Sequence, residues 1–121
     1  MKRQIVVCDN DIEILNAFSM ILEDDQTVVT TVVNASALAE VLDRIKADIL
    51  FMDIHMPNQD GDQILRELRA SDKHHMLPVV MISGNADGRR ISLECGADGF
   101  LAKPFDITDV ENYIRRFVYE R

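Results

Sequence analysis

Five short apolar runs alternate along this chain with segments whose apolar residues recur at helical spacing, and that alternation constrains the fold more than any other feature. The runs 5–8, 27–33, 48–53, 78–82 and 99–102 are too short for helices, and the first four are rich in β-branched or bulky apolar residues, which marks strands. Ile14, Leu15, Phe18, Ile21 and Leu22 predict a helix over 12–25. Leu38, Val41, Leu42 and Ile45 predict a second, capped by Asn34 or Ser36. Ile64, Leu65 and Leu68 mark a third. A weaker stretch over 86–95, closed by Gly96, marks a fourth. Asp106 or Thr108 caps the last helix, which carries Val110, Ile114, Phe117 and Val118. Strands this continuously apolar are buried on both faces, so the sheet is mostly parallel with helices on each side. Right-handed crossovers leave few topologies. The pattern predicts strand order 2-1-3-4-5, with the first and third strands adjacent.

This places the chain in the α/β class as a flavodoxin-like (βα)5 unit with a five-stranded parallel sheet. Its 121 residues suit one domain, 1–121, with one sheet and its helices. No linker, low-complexity stretch or internal repeat interrupts it. The formal net charge of −8 argues against gripping a nucleic-acid backbone directly. No apolar stretch approaches the ~18 residues of a membrane span, and the N-terminal residues lack a signal peptide's apolar segment. Cys8 and Cys95 form no CxxC; Cys8 lies in an apolar run and reads as a small core residue. A reducing, cytoplasmic setting is expected. His74 and His75 sit in the polar stretch 70–75, without ligand spacing to a Cys or acid, and read as solvated.

In a parallel sheet the carboxyl ends of all strands share one edge, where open α/β sheets bind ligands. Chemistry-bearing residues fall at four of those ends. Asp9, Asn10 and Asp11 follow the first strand, Asp53 closes the third, Ser83 follows the fourth and Lys103 the fifth. Clustered acids suit a hard divalent cation such as Mg²⁺. Lysine offsets negative charge and serine offers a hydroxyl. Together they suit a phosphoryl group on the Asp53 carboxylate. Each residue also has a plainer role: Asp53 as a turn or cap, Ser83 as a turn residue before Gly84, Lys103 as a solvated charge.

Four motifs occur in order at those ends: Val7-Cys8-Asp9-Asn10-Asp11, Met52-Asp53-Ile54-His55-Met56-Pro57 with Asp60-Gly61 behind it, Met81-Ile82-Ser83-Gly84, and Ala102-Lys103-Pro104-Phe105. In this the chain resembles the receiver domains of two-component response regulators over essentially its whole length. The resemblance implies that Asp53 is phosphorylated by a sensor histidine kinase or a phosphotransfer protein, with Mg²⁺ as cofactor. It implies Asp9, Asn10, Asp53 and the His55 carbonyl as metal ligands, and Lys103 as contact to the phosphoryl oxygens. Ser83 would carry the switch hydroxyl and Phe100 the switch aromatic, with fixed core as the plainer role for Phe100. The surface of the fourth helix, fifth strand and fifth helix would change and regulate an output domain or target protein; a homodimer stays open.

One residue departs from that pattern. The family usually carries two adjacent acids after the first strand; here the second is Asn10, whose amide oxygen can coordinate a cation but brings no charge. Weaker Mg²⁺ binding is expected, with the Asp11 side chain pointing elsewhere. The leading expectation is a regulatory switch and not an enzyme acting on a separate substrate. Two alternatives are a receiver that is never phosphorylated and serves as an interaction module, and a phosphatase with an aspartyl-phosphate intermediate. Phosphatases of that kind place a second acid two residues after the nucleophile and carry a cap domain; here that position is His55, and no cap is expected.

Overall fold

A computed structural model describes residues 2–57 and 59–120; Asn58, which the sequence reading placed in the turn after the third strand, lies outside them. The elements run β1 (Arg3–Cys8), α1 (Ile12–Leu22), β2 (Thr27–Val32), a 3₁₀ turn (Ala35–Ala37), α2 (Leu38–Arg44), β3 (Ile49–Asp53), α3 (Gly61–Ala70), β4 (Val79–Ser83), α4 (Gly88–Cys95), β5 (Gly99–Ala102) and α5 (Ile107–Ile114), with a π-helical extension over Arg115–Tyr119. The sheet is parallel in the order β2-β1-β3-β4-β5, as the pattern predicts.

Period-two alternation divides the core into two layers. Val6, Cys8, Leu50, Met52, Val79 and Met81 face α2, α3 and α4. Ile5, Val7, Ile49, Phe51, Val80 and Ile82 face α1 and α5, where Phe18 packs on Phe51 with ring centroids 5.2 Å apart. β3 and β4 are buried along their whole length, so both faces are used.

Several boundaries differ from the periodicity, each for a local reason. α1 stops at Leu22, short of 25, because acidic side chains capture backbone amides there: Glu23 accepts from the Val29 N–H (3.2 Å) and Asp24 from that of Gln26 (2.8 Å). Asn34 caps the 3₁₀ turn by accepting from the Ser36 N–H (3.0 Å), so Ser36 is inside the turn and caps nothing. Asp106, not Thr108, occupies the N-cap position of α5, without a side-chain bond. Gly96 ends α4 at φ +86°, a left-handed conformation that favours glycine.

Arg69 on α3 ties the lower sheet edge together. Its guanidinium donates to the carbonyls of Gly96 (3.0 Å), Leu77 (2.8 Å) and His75 (3.3 Å), and to Asp98 Oδ2 (2.9 Å), which also accepts from the Val79 N–H (2.8 Å). One side chain thereby fixes the end of α4 and the starts of β4 and β5.

His74 corrects the solvated expectation. Its side chain is only 18% exposed, and its Nε2 lies 3.1 Å from Asp43 Oδ1 on α2. His75 is exposed as expected. The hydrogen bond from His74, aided by the Lys73 charge, holds the Asp43 carboxyl below its ordinary value of 3.8. A lowered carboxyl stabilises the fold above that ordinary value and loses the contribution as pH falls through the lowered one. The advantage of wild type over Asp43→Asn should therefore be present at mildly acidic pH and vanish in strong acid. Urea midpoints across a pH series check this; a difference that stays constant into strong acid contradicts it.

Candidate functional site at the carboxyl edge of the sheet

The register brings the four strand ends to one edge. Cys8 pairs with Met52, so Asp9 and Asp53 emerge side by side from β1 and β3; Asp53 pairs with Ile82 and Ser83 with Ala102, which sets Lys103 at the same level. The Lys103 N–H also donates to the Ser83 carbonyl (2.9 Å), and the Lys103–Pro104 peptide is cis.

Asp9 is fully buried and Asp53 is 5% exposed. The Lys103 ammonium lies between them, 3.2 Å from Asp9 Oδ2 and 3.4 Å from Asp53 Oδ2. Asp9 Oδ1 accepts from the Asp11 N–H (2.9 Å), and Asp53 Oδ1 from the His55 N–H (3.2 Å). The ammonium pairs with Asp9 Oδ2 through its charge, and that buried oxygen has no further partner among the described residues. Burial raises the Asp9 carboxyl above its ordinary value and the Asp53 charge adds to this, against the Asp11 amide and Lys103. The Cys8 thiol is pushed up to about 12 by burial and the two nearby acids. It stays protonated, packed 3.6 Å from Met56 Sδ, as a core residue.

The turn after β3 is held by Gly61. Its N–H donates to the Ile54 carbonyl (2.6 Å), and a Cβ there would strike the Asp53 carbonyl oxygen and come 2.9 Å from Ile54 Cα. Only glycine lets α3 start so close to the acid. Ser83 is buried, with its Oγ accepting from the Asn85 N–H (3.0 Å). Phe100 is half-buried, with the Arg89 guanidinium 5.0 Å from its ring centroid. The Tyr113 hydroxyl accepts from the Phe100 N–H (3.1 Å) and donates to its carbonyl (3.2 Å), closing the open side of edge strand β5. Asn10 and His55 are exposed at the rim, and Asp11 caps α1 by accepting from the Glu13 N–H (3.0 Å), so its side chain does point elsewhere.

This donor set fits a hard cation. The orphaned Asp9 Oδ2 and the Asp53 carboxylate are oxygen ligands of the kind Mg²⁺ takes, and the rim adds the Asn10 amide and the His55 carbonyl. The charge is low, however: among the described residues, no three His, Cys, Asp or Glu side chains gather in a metal-binding group. Asn10, exposed at the rim, adds no charge to Asp9 and Asp53.

Residues 5–115 match the model of the response regulator receiver domain. The chain belongs to the receiver family. It is 27% identical over 115 residues to an uncharacterised 14.6 kDa protein of Leptolyngbya boryana, covering 93% of this receiver and 88% of that protein. It is also 27% identical over 117 residues to the transcriptional regulatory protein KdpE of Staphylococcus aureus, covering 95% of this chain but only 49% of that one. It thus spans about half of that regulator. Its fold is shared with the receiver domain of a sensor histidine kinase from Pseudomonas aeruginosa, solved with magnesium in its active-site cleft: TM-score 0.86, 23% identity, covering 98% and 99% of the two chains. No helix among the described residues is long and apolar enough to cross a membrane.

Sequence reasoning brought Asp9, Asp53, Ser83 and Lys103 to one edge, and they meet there. It missed Tyr113. Gly99 was an available sign of it: glycine inside a strand marks a close approach, and a Cβ there would strike the Tyr113 ring. The neutral Asn10 yields a direct test. An added anion near 4 Å from a divalent cation is worth ~8 kcal/mol at an effective dielectric constant of about 20, most of it offset by the cost of desolvating the pair. Asn10→Asp should therefore bind Mg²⁺ on the order of tenfold more tightly and be less stable without metal, since it adds a third acid next to Asp9 at the rim of this site. Parallel Mg²⁺ titrations at fixed pH and salt decide it, and equal affinities contradict a ligand role for Asn10.

Proposed function

We propose that this receiver is a phosphorylation-controlled switch whose acceptor is Asp53. The observation that carries the proposal is the Asp53 carboxylate at the end of β3, nearly buried yet at the sheet edge, with the Lys103 ammonium 3.4 Å from one oxygen. A phosphohistidine of a sensor kinase or phosphotransfer protein is the donor. An Asp53 oxygen attacks phosphorus, the phosphorus–nitrogen bond of the donor breaks, and the imidazole leaves with the electron pair of that bond and takes up a proton. Lys103 faces the transferring oxygens. Asp9, Asp53, the Asn10 amide and the His55 carbonyl would hold Mg²⁺, which supplies positive charge against those same oxygens. A groove lined by Ile14, Ala17, Phe105 and Ile107 opens beside Lys103 and offers apolar surface to the approaching donor.

Acyl phosphate adds about −1 to −2 of charge at this edge. Ser83 turns its hydroxyl from the Asn85 amide toward the new oxygens, and Phe100 follows into the vacated space. The surface of α4, β5 and α5 then changes for an output domain, a target protein or a second copy. The net charge of −8 favours a protein partner over direct contact with nucleic acid, and the setting is the cytoplasm. A second reading, an interaction module that is never phosphorylated, draws on the neutral Asn10.

Acetyl phosphate with Mg²⁺ separates the two. Intact mass should rise by one phosphate per chain, and Asp53→Asn should abolish the gain. Undiminished labelling of that variant sinks Asp53 as acceptor; an unlabelled wild type favours the interaction module.

A further inference from the structure

The switch has a contact point that neither the family pattern nor the site chemistry names. Gly88, the first residue of α4, is buried against both residues that the proposed switch moves. A Cβ built on it would lie 2.6 Å from Ser83 Cβ, 2.8 Å from Ser83 Oγ and 3.0 Å from Phe100 Cε1. The two Ser83 separations are shorter than real carbon side chains adopt, and the Phe100 one is a tight contact. The backbone of α4 therefore rests directly on Ser83, with the edge of the Phe100 ring against the same spot.

The hydrogen bonds around Gly88 form one short circuit. The Asn85 N–H donates to Ser83 Oγ (3.0 Å), the Asn85 carbonyl accepts from the Gly88 N–H (3.2 Å), and the Gly88 carbonyl accepts from Ser92 Oγ (2.8 Å). Ser92 is itself buried inside α4. The next residue, Arg89, lays its guanidinium over the Phe100 ring. The N-cap, Asp87, makes no side-chain hydrogen bond to the helix. The start of α4 is thus held by its seat on Ser83 and Phe100, whereas its other end is fixed by Arg69 at the Gly96 carbonyl.

We propose that Gly88 is the positioning residue through which Ser83 and Phe100 set the placement of α4. When Ser83 turns away from Asn85, the circuit at Gly88 loses its first link and the seat under α4 changes shape. The helix then shifts at its Gly88 end and pivots about the end that Arg69 holds. Glycine is required because any side chain would wedge this seat open whatever the state of Asp53. The proposal rests on the switch reading above and adds the route by which the site reaches the α4 surface.

Gly88→Ala tests it by amide hydrogen exchange in the unphosphorylated and acetyl phosphate-treated proteins. Overpacking of this kind costs about 1–3 kcal/mol, so exchange over residues 88–92 should rise on the order of tenfold to a hundredfold before any phosphorylation. Phosphorylation, which still labels Asp53, should then produce little further change in α4. Ser83→Gly on that background removes the two atoms the new methyl strikes first, so exchange should fall below that of Gly88→Ala, while α4 stays unresponsive to phosphorylation because the switch hydroxyl is gone. The same pair keeps the test intact if Gly88→Ala does not fold, because the pair must fold. Wild-type exchange with a normal phosphorylation response in Gly88→Ala overturns the proposal, and so does a pair as perturbed as the single variant. Failure of wild type to take up phosphate would strike the switch reading instead and leave the comparison of unphosphorylated proteins standing.

Discussion

The Lys103 ammonium between Asp9 and Asp53 is the interaction on which the rest of this edge depends. Two carboxylates from neighbouring parallel strands, both almost out of water, repel each other in a medium that screens poorly. A cation from a third strand end offsets that repulsion. It also leaves the arrangement unfinished, because one ammonium serves both acids and Asp9 Oδ2 has no further partner among the described residues. The site is therefore set for additional positive charge. A buried acceptor paired with a single lysine, beside a second carboxylate at the sheet edge, is what a charge-operated device needs.

The surrounding fold makes this unfinished state tolerable. β3 and β4 are buried along both faces, so the strand ends are rigid platforms. Gly61 lets α3 begin against the Asp53 backbone, which fixes the acid from behind. Arg69 gathers the opposite edge, joining α3, α4, β4 and β5 through carbonyls and Asp98. What is left adjustable lies between these fixed parts. The start of α4, the Ser83 hydroxyl and the half-buried Phe100 ring share one small contact region around Gly88. Under the proposed switch, a charge change at Asp53 would act first on this small set of groups.

Much of this was legible in the sequence because a parallel sheet turns chain order into spatial order. The continuous apolar runs gave the strands, the strands gave one edge, and Asp9, Asp53, Ser83 and Lys103 fell on it. The fold, with its strand order, followed from the same pattern. Boundaries were less legible where a polar side chain competes with the backbone, as Glu23 and Asp24 do at the end of α1. His74 looked solvated because its partner, Asp43, is distant in sequence and lies on another helix. Arg69 carries no sequence sign at all, since three of its partners are carbonyl oxygens that every residue has.

The claim that Lys103 offsets two buried acids can be measured without phosphate, metal or partner. A double-mutant cycle in urea between Asp9→Asn and Lys103→Met isolates the pair. Lys103→Met should destabilise the wild-type background more than the Asp9→Asn background, with a coupling of about 0.5–3 kcal/mol. Removing lysine from the wild type leaves two buried charges uncompensated, whereas in the variant it leaves one. Effects that simply add, to within ~0.5 kcal/mol, would contradict the account.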